Sequence, residues 1–377
     1  MLSKYKNLWQ AVATLVGTII GAGILGIPYV VARLGFWPGL IVIVVLGISS
    51  LLINLMIAEI MLRTRFRHQI GGLVKKYIGV NWEHIASFGM IIGAYGGLTA
   101  YLIGEGQVLA ALFGQAENSI VFSWIFFIFS ALILFIGLKL IKALEFWMVL
   151  LVVIVVVFIG AFSLPQLQIA NFQTVDLSQA IVAYGVLLFA FGGTGAIFSV
   201  KEILAGDKKM IKPAIIIGSV LPIIVYILFA LFVVGVTGMS TTEVATVGLG
   251  NALGNKVVIM GNLFAVLVMG SSFLTVGIGL KQLYQYDYKL PAWLAWILVI
   301  VVPLLIFLFI SHNFIEVISL AGSLTFGVVG VLVVFAFWGA KNKGDQKPAF
   351  NLPKFYLVGS GLVLLFLIGV IVTLIDL

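Results

Sequence analysis

The chain has 377 residues, of which 63% are hydrophobic and 9% charged, with a net charge of +8 and a mean hydropathy of +1.26. A soluble domain holds about 45–50% apolar and about 25% charged residues, so a water-soluble fold is excluded, and the positive charge is that of membrane-flanking loops and not of a nucleic-acid interface. Cysteine is absent and the three histidines (His68, His84, His312) are widely spaced, which excludes disulfides, thiolate chemistry and a histidine metal cluster.

The N-terminal MLSKYKNLWQ is basic and runs directly into an apolar stretch. That stretch is too long for a signal peptide and carries Pro28 and Arg33. A span needs about 20 apolar residues. On that rule eleven are predicted: 7–34, 37–62, 82–113, 119–137, 143–163, 179–204, 211–236, 257–283, 291–310, 314–338 and 354–376. Between the second and third, RTRFRHQIGGLVKKYIGV (63–80) is too charged to span, and a short amphipathic helix at the lipid surface is expected there. With a cytoplasmic N-terminus, nineteen of the 21 Lys and Arg fall on the cytoplasmic side, including Arg63, Arg67, Lys76, Lys139, Lys201, Lys208 and Lys341. Arg33 and Lys256 are the exceptions. This separation is the positive-inside pattern of a plasma or inner membrane protein, and it places the C-terminus, Leu377, on the outer face.

Two spans are interrupted by glycine near mid-depth. The first reads GTIIGAGILGIP (17–28) and the sixth FAFGGTGAIF (189–198). Gly21 and Gly193 lie 172 residues apart, and the starts of spans 2 and 7, 3 and 8, and 4 and 9 are offset by 174, 175 and 172. A near-constant offset over five spans implies two homologous halves, 1–163 and 179–338, with 354–376 as an additional helix. Because five is odd, the second half enters from the opposite face. Inverted halves with matching glycine-interrupted helices point to a secondary transporter whose site lies where the interruptions meet. The series Gly89, Gly93, Gly97 in span 3 reads instead as close helix packing.

Unwound backbone inside lipid must be satisfied by something. The N-terminus of an outer half-helix suits a carboxylate, and the terminal carbonyls of the inner half suit a cation or an ammonium. An α-amino acid satisfies both ends, and no Arg or Lys at mid-depth could do the same. Buried acids are a second signal: Glu105 in span 3 is a candidate proton carrier or cation partner. Glu59, near the inner end of span 2, is expected to pair with loop cations.

GTIIGAGILGIP resembles the first-helix signature of the amino acid/auxin permease and hydroxy/aromatic amino acid permease families of the amino acid–polyamine–cation superfamily. LLFAFGGTGAIFSVKEI (187–203) resembles their broken sixth helix, SSFLTVGIGLKQLY (271–284) their eighth-helix run, and the loop ending KKYIG is similar too. The resemblance covers nearly the whole chain. It implies an all-α integral membrane protein of the LeuT type: eleven helices, a 5+5 inverted repeat with helices 1 and 6 broken, and one helix outside it. It also implies carboxylate binding by backbone N–H groups of Ala22, Gly23 and Ile24 beside Gly21, and ammonium binding by carbonyls near Thr18 and of Phe189 and Ala190. Phe191 and Thr194 would border the side-chain pocket, faced by Tyr101. Sodium would sit between the carbonyls of Gly17, Ile20 and Val268 and the hydroxyls of Ser271 and Ser272. Phe189 stands where a second sodium site commonly shows a hydroxyl, so one sodium is expected. Arg33 and Glu316 are candidates for an outer-gate pair.

The reading is sodium-coupled uptake of a neutral amino acid by a monomer in the lipid bilayer, with no organic cofactor and no nucleic-acid partner. Proton coupling through Glu105 is the alternative. An amino acid sensor is disfavoured because sensors add a soluble extension to a transporter core. No convergent acid, base or metal set suggests an enzyme.

Overall fold

The computed structural model describes residues 2–66, 68–136, 141–286, 288–310 and 312–375. Arg67, Lys139 and Leu377, which the orientation reading invokes, lie outside the described residues. In chain order the helices are α1 (Leu2–Ile19), α2 (Gly23–Leu34), α3 (Phe36–Arg63), α4 (Ile70–Tyr77), α5 (Val80–Leu112), α6 (Ser119–Ile136), α7 (Ile141–Ser163) and α8 (Ala180–Ala190). They continue with α9 (Ala196–Ile203), α10 (Ile211–Thr237), α11 (Ala245–Leu253), α12 (Asn255–Tyr286), α13 (Ala292–Phe309), α14 (Phe314–Ala321), α15 (Gly327–Lys343) and α16 (Tyr356–Ile375).

Among the described residues eight helices are long and apolar enough to cross a membrane, α14 and α15 counting as one, and the pair α1/α2, bent by 55°, makes a ninth. The other two predicted spans correspond to α7 and to the broken pair α8/α9. All-helical architecture follows from lipid as solvent, since a helix satisfies its own backbone. The outer helices show that solvent in their exposed faces. Ile125, Phe129, Leu132 and Phe135 of α6 and Leu364, Ile368 and Ile371 of α16 are exposed, apolar and unaccompanied by charge.

The bundle is organised around the two broken pairs. Helix α1 packs on α10 and α9, and α2 packs on α8. Helix α5 packs against α12 and α6, with α14 closing on both α5 and α8. The turn from α2 into α3 is sharp because Gly35 takes φ +106° with Thr174 against it; a Cβ there would lie 2.3 Å from the Thr174 carbonyl oxygen.

Three expectations change. Helix α4 does not spend its apolar face on lipid: Ile70, Leu73, Val74 and Tyr77 are buried against α5 and α15, and the Tyr77 and Thr64 hydroxyls meet at 2.8 Å. The segment between spans 7 and 8, outside every predicted span, contains α11. The tenth span is not one α-helix, because residues Gly322–Phe326 form a π turn between α14 and α15. At that turn the backbones of Gly322 and Gly185 touch, and a Cβ on Gly322 would stand 2.0 Å from the Gly185 oxygen.

One end of the bundle gathers the loop cations. Glu59, fully buried, accepts from Arg63 at 2.7 Å, from Lys341 at 2.5 Å and from the Leu352 N–H at 2.7 Å. Lys341 also reaches the Leu352 carbonyl, and Lys76 pairs with Asp345. Glu59 is thus paired as expected, with the end of its own helix and with the α15–α16 connection. The Arg65 N–H and the Lys76 ammonium hold the Asp345 carboxyl below the usual carboxylate range.

Candidate functional site

The first interruption occupies residues 20–22. The Ile20 N–H still reaches Val16 O at 2.7 Å, while Gly21 bonds only two residues back, to Ile19 O at 2.9 Å. The helix restarts when Ile24 and Leu25 donate to Gly21 and Ala22 at 3.3 and 3.0 Å. Ala22 and Gly23 therefore stand at the start of α2, where helix geometry leaves N–H groups without intrahelical acceptors. Gly23 has no room for a side chain: an added Cβ would lie 2.6 Å from Ala190 Cα. The second interruption, residues 191–195, is held by the Ser50 hydroxyl, which donates to Phe191 O at 2.9 Å.

Between these breaks lies a cavity of about 300 Å³. Of the residues singled out from sequence, Gly17, Thr18, Ile20, Gly21, Ala22, Gly23, Tyr101, Phe189, Thr194, Val268, Ser271 and Ser272 all line it. Ser271 Oγ donates to Val268 O at 3.1 Å, and a Cβ on Gly21 would come within 3.2 Å of Ser272 Oγ. The hydroxyl pair of α12 therefore faces the first break directly. The Thr18 hydroxyl is turned back onto Thr14 O at 2.8 Å. The rings of Tyr101 and Phe189 meet edge-on with centroids 6.2 Å apart.

Three predicted residues do not line the cavity. The N–H of Ile24 is spent on restarting the helix. The Ala190 carbonyl accepts from Tyr226 at 2.8 Å, and the residue's own Cα and Cβ press on Gly23. Phe191 packs on the Tyr226 ring at 5.0 Å, behind the break. Arg33 and Glu316 are also away from the cavity: the guanidinium lies 5.2 Å from the Tyr29 ring centre, and Glu316 starts α14 with its N–H on Asn313 Oδ1.

Sequence reasoning missed one wall. Thr325, Phe326 and Val329 line the cavity, two of them presented by the π turn, a device that recurs at functional sites. A glycine at either end of the turn, Gly322 and Gly327, was the available signal. Span 3 is also more than packing. Gly93 and Gly97 line the cavity with Met90 and Ala94, and a Cβ on Gly93 would collide with Thr325 Oγ1 at 2.3 Å.

The cavity has a direction. Thr18 and Thr275 line it and are exposed, whereas α5 is buried from Gly97 to Gly106 and Tyr101 is buried against Phe189. Its exposed lining residues are thus separated from the buried stretch of α5 by the Tyr101–Phe189 pair.

Glu105 lies one turn beyond Tyr101 and is fully buried; among the described residues neither of its carboxyl oxygens has a hydrogen-bond partner. Gly270 of α12 faces it: a Cβ there would sit 3.2 Å from Oε1.

Residues 4–376 match the model of the tryptophan/tyrosine permease family. The chain belongs to that family. This permease is 29% identical to a tyrosine-specific transport system of Haemophilus influenzae, over 95% of this chain and 93% of that one. It is 21% identical to a glutamine transporter of Aliivibrio fischeri, covering 84% of each. Among solved structures, MhsT in complex with L-phenylalanine matches 97% of both chains with a TM-score of 0.65 and 16% identity. That likeness establishes the LeuT-type fold of this permease. The permease is thus a multi-pass membrane transporter of amino acids and not an enzyme.

Proposed function

We propose that this permease carries a neutral, preferably aromatic, amino acid by alternating access and couples it to sodium. The observation that carries the reading is the single cavity in which both helix breaks meet the Ser271–Ser272 pair. A substrate carboxylate would take the N–H groups of Ala22 and Gly23 at the start of α2. The ammonium would face the carbonyls that end α1, near Thr18 and Ile19. The side chain would lie beside Gly97 and the rings of Phe189 and Phe326. The apolar rings in the cavity wall support an aromatic substrate, as do the tyrosine-specific relative and the phenylalanine-bound neighbour. The glutamine-transporting relative supports the broader neutral class.

Sodium would be held by the carbonyls of Gly17, Ile20 and Val268 with Ser271 and Ser272, all of which border the same cavity. The inverted halves 1–163 and 179–338, with the N-terminus cytoplasmic and 354–376 outside the repeat, supply the rocking motion.

Proton coupling through Glu105 is the second reading, favoured by one observation: among the described residues this buried intramembrane carboxyl has no hydrogen-bond partner, and an acid in such a place is a candidate proton carrier. Uptake in proteoliposomes against an amino acid panel, with sodium and pH gradients imposed separately, decides between them. The expected result is uptake of tyrosine, phenylalanine or tryptophan that needs a sodium gradient. Uptake driven by a pH gradient, indifferent to sodium and lost in Glu105→Gln, selects the proton.

A further inference from the structure

Tyr226 stands near the middle of α10, with apolar residues on either side in the run 220–236, and it is fully buried. A phenol there must hydrogen-bond. Its oxygen lies 2.8 Å from Ile19 O and 2.8 Å from Ala190 O. Ile19 is the last residue of α1 and Ala190 the last of α8, so one hydroxyl meets the ends of both broken helices. Terminal carbonyls lack helical donors and together carry roughly half a negative charge per helix end. Two such ends brought together make a place a cation would satisfy.

The hydroxyl has one proton, and both neighbours can only accept. That one proton cannot serve both carbonyls at once, and Ile19 O accepts in addition from the Gly21 N–H at 2.9 Å. The two breaks are also clasped reciprocally: Gly23 presses on Ala190, with a Cβ there 2.6 Å from Ala190 Cα, while a Cβ on Gly193 would be 2.3 Å from Ile19 Cγ1. A shift at one helix end is therefore felt at the other.

The two carbonyl ends differ in access. Ile19 lines the cavity; Ala190 does not. An entering ammonium, with three donors, can serve Ile19.

We propose that Tyr226 is a positioning residue that relays occupancy from the first break to the second: the substrate's ammonium takes the Ile19 carbonyl, and the hydroxyl proton of Tyr226 then belongs wholly to Ala190. That firms the end of α8 against α10 only when the cavity holds an amine. The phenol also occupies the point where the two carbonyl ends would otherwise hold a second cation, which is a residue-level reason for a single coupling ion. The inference rests on the amino acid reading above.

The test uses the absence of cysteine. Gly195, in the second break, is exposed, does not line the cavity, and has open space where a side chain would go. In the full-length permease, Gly195→Cys serves as a reporter whose labelling rate by a soluble thiol reagent is measured with and without phenylalanine. Phenylalanine is expected to change that rate about threefold or more, and 3-phenylpropionate, which lacks the ammonium, to leave it unchanged. In Tyr226→Phe, phenylalanine binding should stay within about threefold while the labelling change disappears and maximal uptake falls about tenfold. A labelling change that survives in Tyr226→Phe overturns the relay. So does affinity lost in proportion to uptake, which would make Tyr226 part of the pocket, and so does a parent protein that binds phenylalanine with no labelling response. A parent that binds no amino acid overturns the functional reading and the relay together, and is distinguished by that missing binding. Should Tyr226→Phe fail to fold, Tyr226→His, which keeps a ring donor, is expected to fold and respond; failure there as well overturns the donor argument.

Discussion

The two helix breaks share a glycine-rich sequence and differ in what surrounds them. The first, at residues 20–22, is faced by hydroxyls: Ser272 stands against Gly21, and Ser271 beside it is bonded to Val268. The second, at 191–195, is faced on the cavity side by rings, with Phe326 packed directly on Gly192 and Phe189 opposite Tyr101. One break is thus furnished for charge and the other for an apolar side chain. Their glycines follow the same division. Gly23 is needed because another backbone, that of Ala190, occupies the space of its Cβ; Gly192 is needed because an aromatic ring does. A backbone cannot step aside, whereas a ring can rotate or shift at a cost of about 1–3 kcal/mol.

That contrast ranks the expected effects of substitution. Gly23→Val, which drives a β-branched side chain into the Ala190 backbone, should reduce uptake more than about a hundredfold, roughly 2.7 kcal/mol, while surface expression persists. Uptake within tenfold of the parent would remove the close backbone approach from the site. Joint replacement of Ser271 and Ser272 by alanine should raise the sodium concentration for half-maximal uptake about tenfold, near 1.4 kcal/mol, with a smaller change in the KM for the amino acid. An unchanged sodium requirement with a raised amino acid KM would assign these hydroxyls to the substrate.

Gly192→Ala crowds Phe326, and its expected effect is a severalfold rise in KM that is larger for tryptophan than for alanine, read from competition assays. An equal rise for every substrate would mean that the second break does not select side chains. Gly195→Ala should leave uptake within about twofold, because nothing lies within 4 Å of the added methyl. A large loss there would show that the break itself needs glycine's backbone freedom, and the comparison between the two breaks would lose its basis.

Topology offers an independent check on the proposed opposite insertion of the two halves. Single cysteines at Asp207 and Thr242 can be probed on intact cells with an impermeant thiol reagent. Labelling at Thr242 and protection at Asp207 are expected. The reverse at Asp207 would break the opposite insertion of the halves.

Much was legible in the sequence because lipid leaves a chain few choices. Apolar runs of about 20 residues must be helices, so the spans were readable to within a few residues, and glycine clusters at matched positions marked both breaks. Twelve residues named from the breaks and from the resemblance to the permease families converge on one cavity. The chain order alone could not show which atoms the folded backbone uses up. Ala190 and Ile24 sit within the signal motifs, yet a hydroxyl from α10 and the restarting helix claim their polar groups. The π turn of Gly322–Phe326 arises from contact between two backbones distant in sequence, Gly185 and Gly322. Tyr226 looked like one more aromatic in an apolar helix, and its role is set by two carbonyls, 207 and 36 residues away, that only packing brings to its hydroxyl. Composition and spacing determined the solvent, the spans and the breaks; which donor meets which acceptor was decided by tertiary packing, because hydrogen bonds are short, directional and satisfied by whatever atom arrives.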